Sequence, residues 1–162
     1  MHSKIIQVER NPITKANRIC ASDVESGFVG RIADYVDTLE EKYIPRIIQN
    51  VFGVGDIFDL NERDMTVVIK DKKKYFEMKF KIFKNSLEKI YKNVSLETFS
   101  KTPCEDGGLN YDMYSCNAAY NDKYDIYIFD KEYGELTTMD EWMRWTNDNE
   151  KLYIGGVVDY HF

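Results

Sequence analysis

At 162 residues the chain has the size at which one core can bury about two-thirds of the unfolded surface, and 43% hydrophobic with 14% aromatic content excludes a disordered polymer. A net charge of −6 counts against a general nucleic-acid coat, although charge is unevenly spread along the chain. No apolar run nears the roughly 20 residues that span a bilayer, and polar residues 7–10 follow the opening at once, so neither a signal peptide nor an anchor is expected.

Cys20, Cys104 and Cys116 are odd in number and widely spaced, which fits neither a disulfide framework nor a C-x-x-C metal knuckle. A reducing, cytoplasmic setting is the expectation.

Residues 4–8 read as an opening strand that Asn11-Pro12 ends, because proline cannot donate to a ladder. Phe28, Ile32, Ala33 and Val36 would share one helical face, predicting a short helix within 22–36 despite Gly27 and Gly30. Thr38-Leu39-Glu40-Glu41 has the form of a capping box and predicts a helix to about residue 52, kinked or begun afresh at Pro45 and stopped by Gly53 and Gly55. β-Prone runs at 56–60 and 65–70 flank a polar turn at 61–64 and predict a hairpin.

Asp71 is placed to cap a long helix whose apolar residues Phe76, Phe80, Phe83, Leu87 and Ile90 recur at spacings of four and three. One helical turn near 95–99 and a loop at 103–108 follow. Residues 110–120 fit helix or strand, 124–129 read as a strand, and 132–135 turn it. Thr138-Met139-Asp140-Glu141 repeats the capping box and starts a helix with Trp142, Met143 and Trp145. The last strand covers 152–160, where Gly155-Gly156 marks a bulge or a close backbone approach. Together these predict an α+β fold, an antiparallel sheet of four or five strands with helices packed mainly on one face, as a single compact domain over 1–162.

Residues 70–92 hold nine lysines against three acids, and 105–162 hold thirteen acids against four basic residues. The acidic half is also rich in tyrosine, a residue that brings large area with a polar tip to interfaces. Its candidate protein-binding residues are Tyr111, Tyr114, Asp122, Tyr124, Asp125, Tyr127, Asp130, Glu132 and Tyr133. The alternative is a nucleic-acid-binding module using Lys72, Lys73, Lys74, Lys81 and Lys84 on the long helix, a pattern that an ordinary solvated face with i,i+4 pairs also produces. Tyr75, Met78 and Ile82 form a second apolar stripe on that helix, covered by another part of the chain or by a homodimer partner.

No complete catalytic or metal motif is present, and no cofactor is expected. Asp56, Asp59, Asn61 and Asp64 lack the spacing and closing glutamate of a calcium loop. Gly53-Val54-Gly55 lacks the lysine of a phosphate cradle, and the two histidines, His2 and His161, lie at the chain ends, where Asp159 precedes His161 by two residues. A small enzyme with a site assembled from scattered residues stays open as a further alternative.

The segments 32–36 (IADYV) and 153–162 (YIGGVVDYHF) resemble stretches of uncharacterised small proteins of phages and mobile elements of Gram-positive bacteria. That resemblance brings no activity with it. It implies one specific version of the leading expectation: a non-enzymatic binding protein that uses its acidic, tyrosine-rich half to inhibit a bacterial restriction or CRISPR nuclease.

Overall fold

The computed structural model describes residues 1–102, 104–105 and 107–162, and of residue 25 the backbone alone. The loop expected at 103–108 therefore lies partly outside the described residues. The backbone groups into two compact units, a sheet unit of Met1–Lys72 with Lys123–Phe162 and a helical unit of Lys73–Asp122.

The sheet unit is built on β1 (His2–Glu9), β2 (Tyr35–Thr38), β3 (Phe58–Asn61), β4 (Thr66–Ile69), β5 (Tyr127–Asp130), β6 (Glu135–Thr138) and β7 (Lys151–His161). They form one seven-stranded sheet in the order β3-β4-β7-β1-β5-β6, with β2 also paired to β7. The expected four or five strands is thus corrected upward, and the sheet is mixed, because β1 pairs with β5 in parallel, Ile6 opposite Ile128. Such a pairing needs a long crossover, and local turn signals cannot reveal it. The expected hairpin is present, β3 against β4 with Phe58 opposite Ile69.

Strand alternation assigns the core to two faces. One carries Ile5, Tyr127, Phe129, Val158 and Tyr160 against Phe28 of α1 (Ala21–Phe28). The Phe28 ring meets Tyr127 and Tyr160 edge-on, each at 5.1 Å. The other face carries Val8, Ile128 and Leu152 beneath Trp142 of α6 (Met139–Trp145). Phe52 of α2 (Ile44–Phe52) touches Trp142 edge-on. Helices therefore stand on both faces, where packing mainly on one was expected; for that reason β1 and β7 are buried over consecutive residues, 5–9 and 154–158.

Local signals were followed in part. The helix expected within 22–36 ends at Phe28, and β2 takes the remaining segment; Ile32, Ala33 and Val36 reach the same core from a turn and a strand. Thr38 does not cap its own segment. Its hydroxyl accepts the Ala21 amide instead, and α2 begins afresh with Pro45 in its first turn. Thr138 does cap α6, accepting the Glu141 amide.

Gln7 is completely buried in this unit. Ile6 pairs with Val157 and Val8 with Ile154, so two residues of β7, Gly155 and Gly156, stand opposite Gln7 as a bulge. Its side-chain oxygen accepts the amides of Ile19 and Gly156 at 2.9 and 3.0 Å, and its amide donates to Glu9 and to the Asn17 carbonyl.

The helical unit contains nearly all of α3 (Lys72–Asn93), then α4 (Leu96–Phe99) and α5 (Leu109–Asn121). Ser95 and Thr98 form a reciprocal capping box at α4. The contacts Lys79 to Asp122, Phe83 to Tyr120 and Lys89 to Asp112 run in opposite chain directions, so α3 and α5 form an antiparallel hairpin. These ion pairs join the lysine-rich segment to the acidic one, so part of the charge split along the sequence is neutralised inside one unit.

Candidate functional site

The side of α3 with reduced exposure carries Phe76, Lys79, Phe83, Ser86 and Ile90, a seven-residue period that admits a lysine and a serine. Of the predicted core stripe, Phe76, Phe83 and Ile90 are half-buried, whereas Phe80 is 64% exposed and Leu87 also faces solvent. In the second stripe Tyr75 is buried, and Met78 and Ile82 are exposed. Tyr91, Leu96, Phe99, Tyr111, Met113 and Tyr120 of the helical unit are exposed as well. Among the described residues, eleven of the seventeen exposed large apolar side chains belong to the helical unit, less than a third of the chain.

The candidate protein-binding residues do not form one uniform face. Tyr111 is 66% exposed on α5, and Tyr114 is half-buried there. Asp122 is fully buried and holds Lys79 at 2.6 Å, so this acid is an internal ion-pair partner and not a contact residue. Tyr127 is likewise buried, in the sheet core, with its hydroxyl donating to the Lys123 carbonyl. Tyr124 stacks on Phe162 at 4.6 Å, with the Lys123 ammonium over its ring. Asp125 and Glu132 are exposed, the latter accepting from Asn11; Tyr133 is exposed, and Asp130 is half-buried in a recess described below.

On the lysine helix, Lys73 faces Glu77 at 3.6 Å and Lys84 faces Glu88 at 4.0 Å. Lys72 reaches Asp148 and the Arg144 carbonyl. Lys74 and Lys81 are exposed. Acids interleaved with lysines in this way describe a solvated helix face more closely than a phosphate track.

The chain-end histidines are held in place. His2 bonds Asp159 at 2.7 Å, His161 bonds Asp34 at 3.1 Å, and the His161 ring stacks on Tyr35. Asp159 and His161 share a side of β7, yet each serves a different partner. Among the described residues no group of three or more His, Cys, Asp or Glu is placed to hold a metal ion. Nor is any helix among them long and apolar enough to cross a membrane.

A recess of about 360 Å³ opens on the sheet unit where the parallel strands β1 and β5 end. Its lining combines the apolar Val8, Ile128 and Leu152 and the rings of Trp142 and Trp145 with the charged Glu9, Arg10, Asp130, Glu135 and Glu141. Burial pushes the Asp130 carboxyl above its usual range, and nearby Glu9 adds to this against the hydrogen bond from the Tyr133 amide. Sequence reading singled out Asp130 and the tryptophans but not their meeting: β6 folds back on β5 and leads straight into α6, and the parallel β1–β5 pairing then adds Val8 and Arg10 to the lining.

The fold and these surfaces define a mixed α/β sheet protein with a helical unit that exposes aromatic and aliphatic side chains. Compared with models of protein families, with curated proteins and with solved structures, the chain has no match.

Proposed function

We propose that the chain is a non-enzymatic binding protein that docks on another protein through the exposed apolar surface of its helical unit. The concentration of exposed large apolar side chains in that unit carries this reading, since soluble proteins seldom leave such surface in water without a partner. Phe80, Phe99 and Tyr111 are its anchors: flat rings bring contact area at small entropic loss. The tyrosine-rich half contributes through Tyr111 and Tyr120, and the acid-interleaved lysines leave apolar contact as the main attraction.

The test is affinity capture with the full chain, comparing wild type with a Phe80→Ser, Phe99→Ser, Tyr111→Ser variant whose melting temperature matches it. Loss of a stoichiometric partner in that variant, with retention after charge reversal at Asp130 and Glu132, supports the reading. The opposite pattern overturns it, and concentration-dependent sedimentation of the chain alone would assign the surface to a second copy. A narrower version makes the partner a bacterial defence nuclease. The helical unit has eight lysines against seven acids, so in this version too apolar side chains rather than charge carry the contact. Unimpaired DNA cleavage by restriction and CRISPR nucleases with the protein present would remove that version.

A further inference from the structure

The recess at the ends of β1 and β5 belongs to the sheet unit alone and has no part in the proposed protein contact. Its volume falls in the range of small-ligand sites, roughly 300–1,000 Å³, and its place outside the carboxyl ends of parallel strands is where open α/β sheets collect ligands. Trp145 stands at this recess 78% exposed, a large ring left in water on a seven-residue helix whose other aromatic wall residue, Trp142, is half-buried against Phe52.

We infer that the recess is a binding site for a small organic cation, an ammonium or guanidinium group held against Trp142 and Trp145 with Asp130, Glu135 and Glu141 around it. Tryptophan is the ring that attracts cations best, through the negative face of its quadrupole. The charges have the complementary sign: the one cationic side chain of the lining, Arg10, already donates to Glu150 at 2.9 Å, so the four carboxylates of Glu9, Asp130, Glu135 and Glu141 exceed it. An anion would meet net repulsion there. The absence of a metal-holding group of ligands among the described residues directs the choice to a diffuse organic cation. The raised Asp130 carboxyl agrees, because a bound cation would supply the charge that burial and Glu9 withhold.

Two sources share this chemistry, a free amine and an arginine or lysine side chain presented by a peptide, and the experiment separates them. Both tryptophans of the chain line the recess, so tryptophan fluorescence of the full protein reports on this site alone. The probes are putrescine and N-acetyl-arginine methylamide, with N-acetyl-glutamate and methyl glucoside as anionic and neutral controls.

The expected result is a saturable emission change with at least one cation in the millimolar range or below, at least tenfold weaker in Asp130→Asn and in Glu141→Gln. Acidification should weaken it as well, since the Asp130 carboxyl, raised by burial and facing Glu9, Arg10, Glu135 and Glu141 in the lining, gives up its charge. Response to putrescine alone marks a free-amine site, and response to the arginine probe alone marks a site for a presented side chain. No saturable change with either cation, an equal change with the controls, or undiminished binding in both variants overturns the inference. The helical-unit triple variant should bind the cation as wild type does, so this result stands or falls separately from the proposed protein contact.

Discussion

A β-carbon on Gly155 would stand 2.6 Å from the side-chain carboxamide carbon of Gln7, so the bulge in β7 and the buried glutamine in β1 occupy one shared space. Gly156 is bound just as closely, its missing β-carbon 2.8 Å from the Ile19 carbonyl. Gly155→Ala should therefore lower stability by about 1–3 kcal/mol through overpacking. Gln7→Ala strips an acceptor from the buried amides of Ile19 and Gly156 and should cost about 2–4 kcal/mol, since each unmade buried bond costs roughly 1–3. Urea denaturation of the three proteins checks both, and a Gly155→Ala midpoint equal to wild type would contradict the shared-space account.

Asp130 has a raised pKa in the fold, so its contribution to stability is fully present below the usual 3.8 and is lost as pH rises through the folded value. Asp130→Asn should then melt at or above the wild-type temperature at pH 7, with the difference closing as pH falls below about 3.8. Thermal melts at pH 3, 5 and 7 give the sign; a variant that is much less stable at pH 7 would contradict it.

Asp23 is the opposite case. Burial would raise its carboxyl, but the Cys20 amide at 2.8 Å and the Lys131 ammonium at 3.0 Å outweigh burial and hold it below its usual value. Its stabilisation is present above 3.8 and lost as pH falls through the lowered value. Asp23→Asn keeps an acceptor for the Cys20 amide but loses the charge facing Lys131, so it should destabilise by about 0.2–1 kcal/mol at pH 7, the size of a solvent-screened ion pair, and match wild type at strongly acidic pH in the same melts.

In the helical unit, Lys79→Met leaves the fully buried Asp122 carboxylate without its ammonium and should cost about 3–5 kcal/mol. Adding Asp122→Asn should recover more than half of that loss, because the residual amide needs no counter-charge and asparagine tolerates the left-handed backbone there, φ 57°. A double-variant cycle by chemical denaturation measures the coupling, and additive losses would contradict a paired charge.

Much of the fold could be read locally. The β3–β4 hairpin, the restart of α2 at Pro45, the Thr138 cap of α6 and the glycine pair in β7 all follow from turn, cap and backbone chemistry within a few residues. What escaped was non-local. β2 looked helical because Phe28, Ile32, Ala33 and Val36 share a core that is reached by three kinds of backbone. The parallel β1–β5 pairing joins residues more than a hundred positions apart, and the recess depends on it. On α3 the apolar spacing gave the helix but not its buried side, since Lys79 takes a place in the hairpin through Asp122, while Phe80 is left exposed. The charge split was misleading for the same reason: Asp112 and Asp122 answer Lys89 and Lys79 internally.

The most direct test is site-specific photo-crosslinking in cells, with p-benzoylphenylalanine placed at Phe99 or Tyr111 on the helical unit and at Tyr43, also exposed, on the sheet unit. The expected result is a discrete adduct to another protein from Phe99 and Tyr111 and none from Tyr43. Adducts from Tyr43 alone, or none from any of the three positions, would contradict a binding surface on the helical unit.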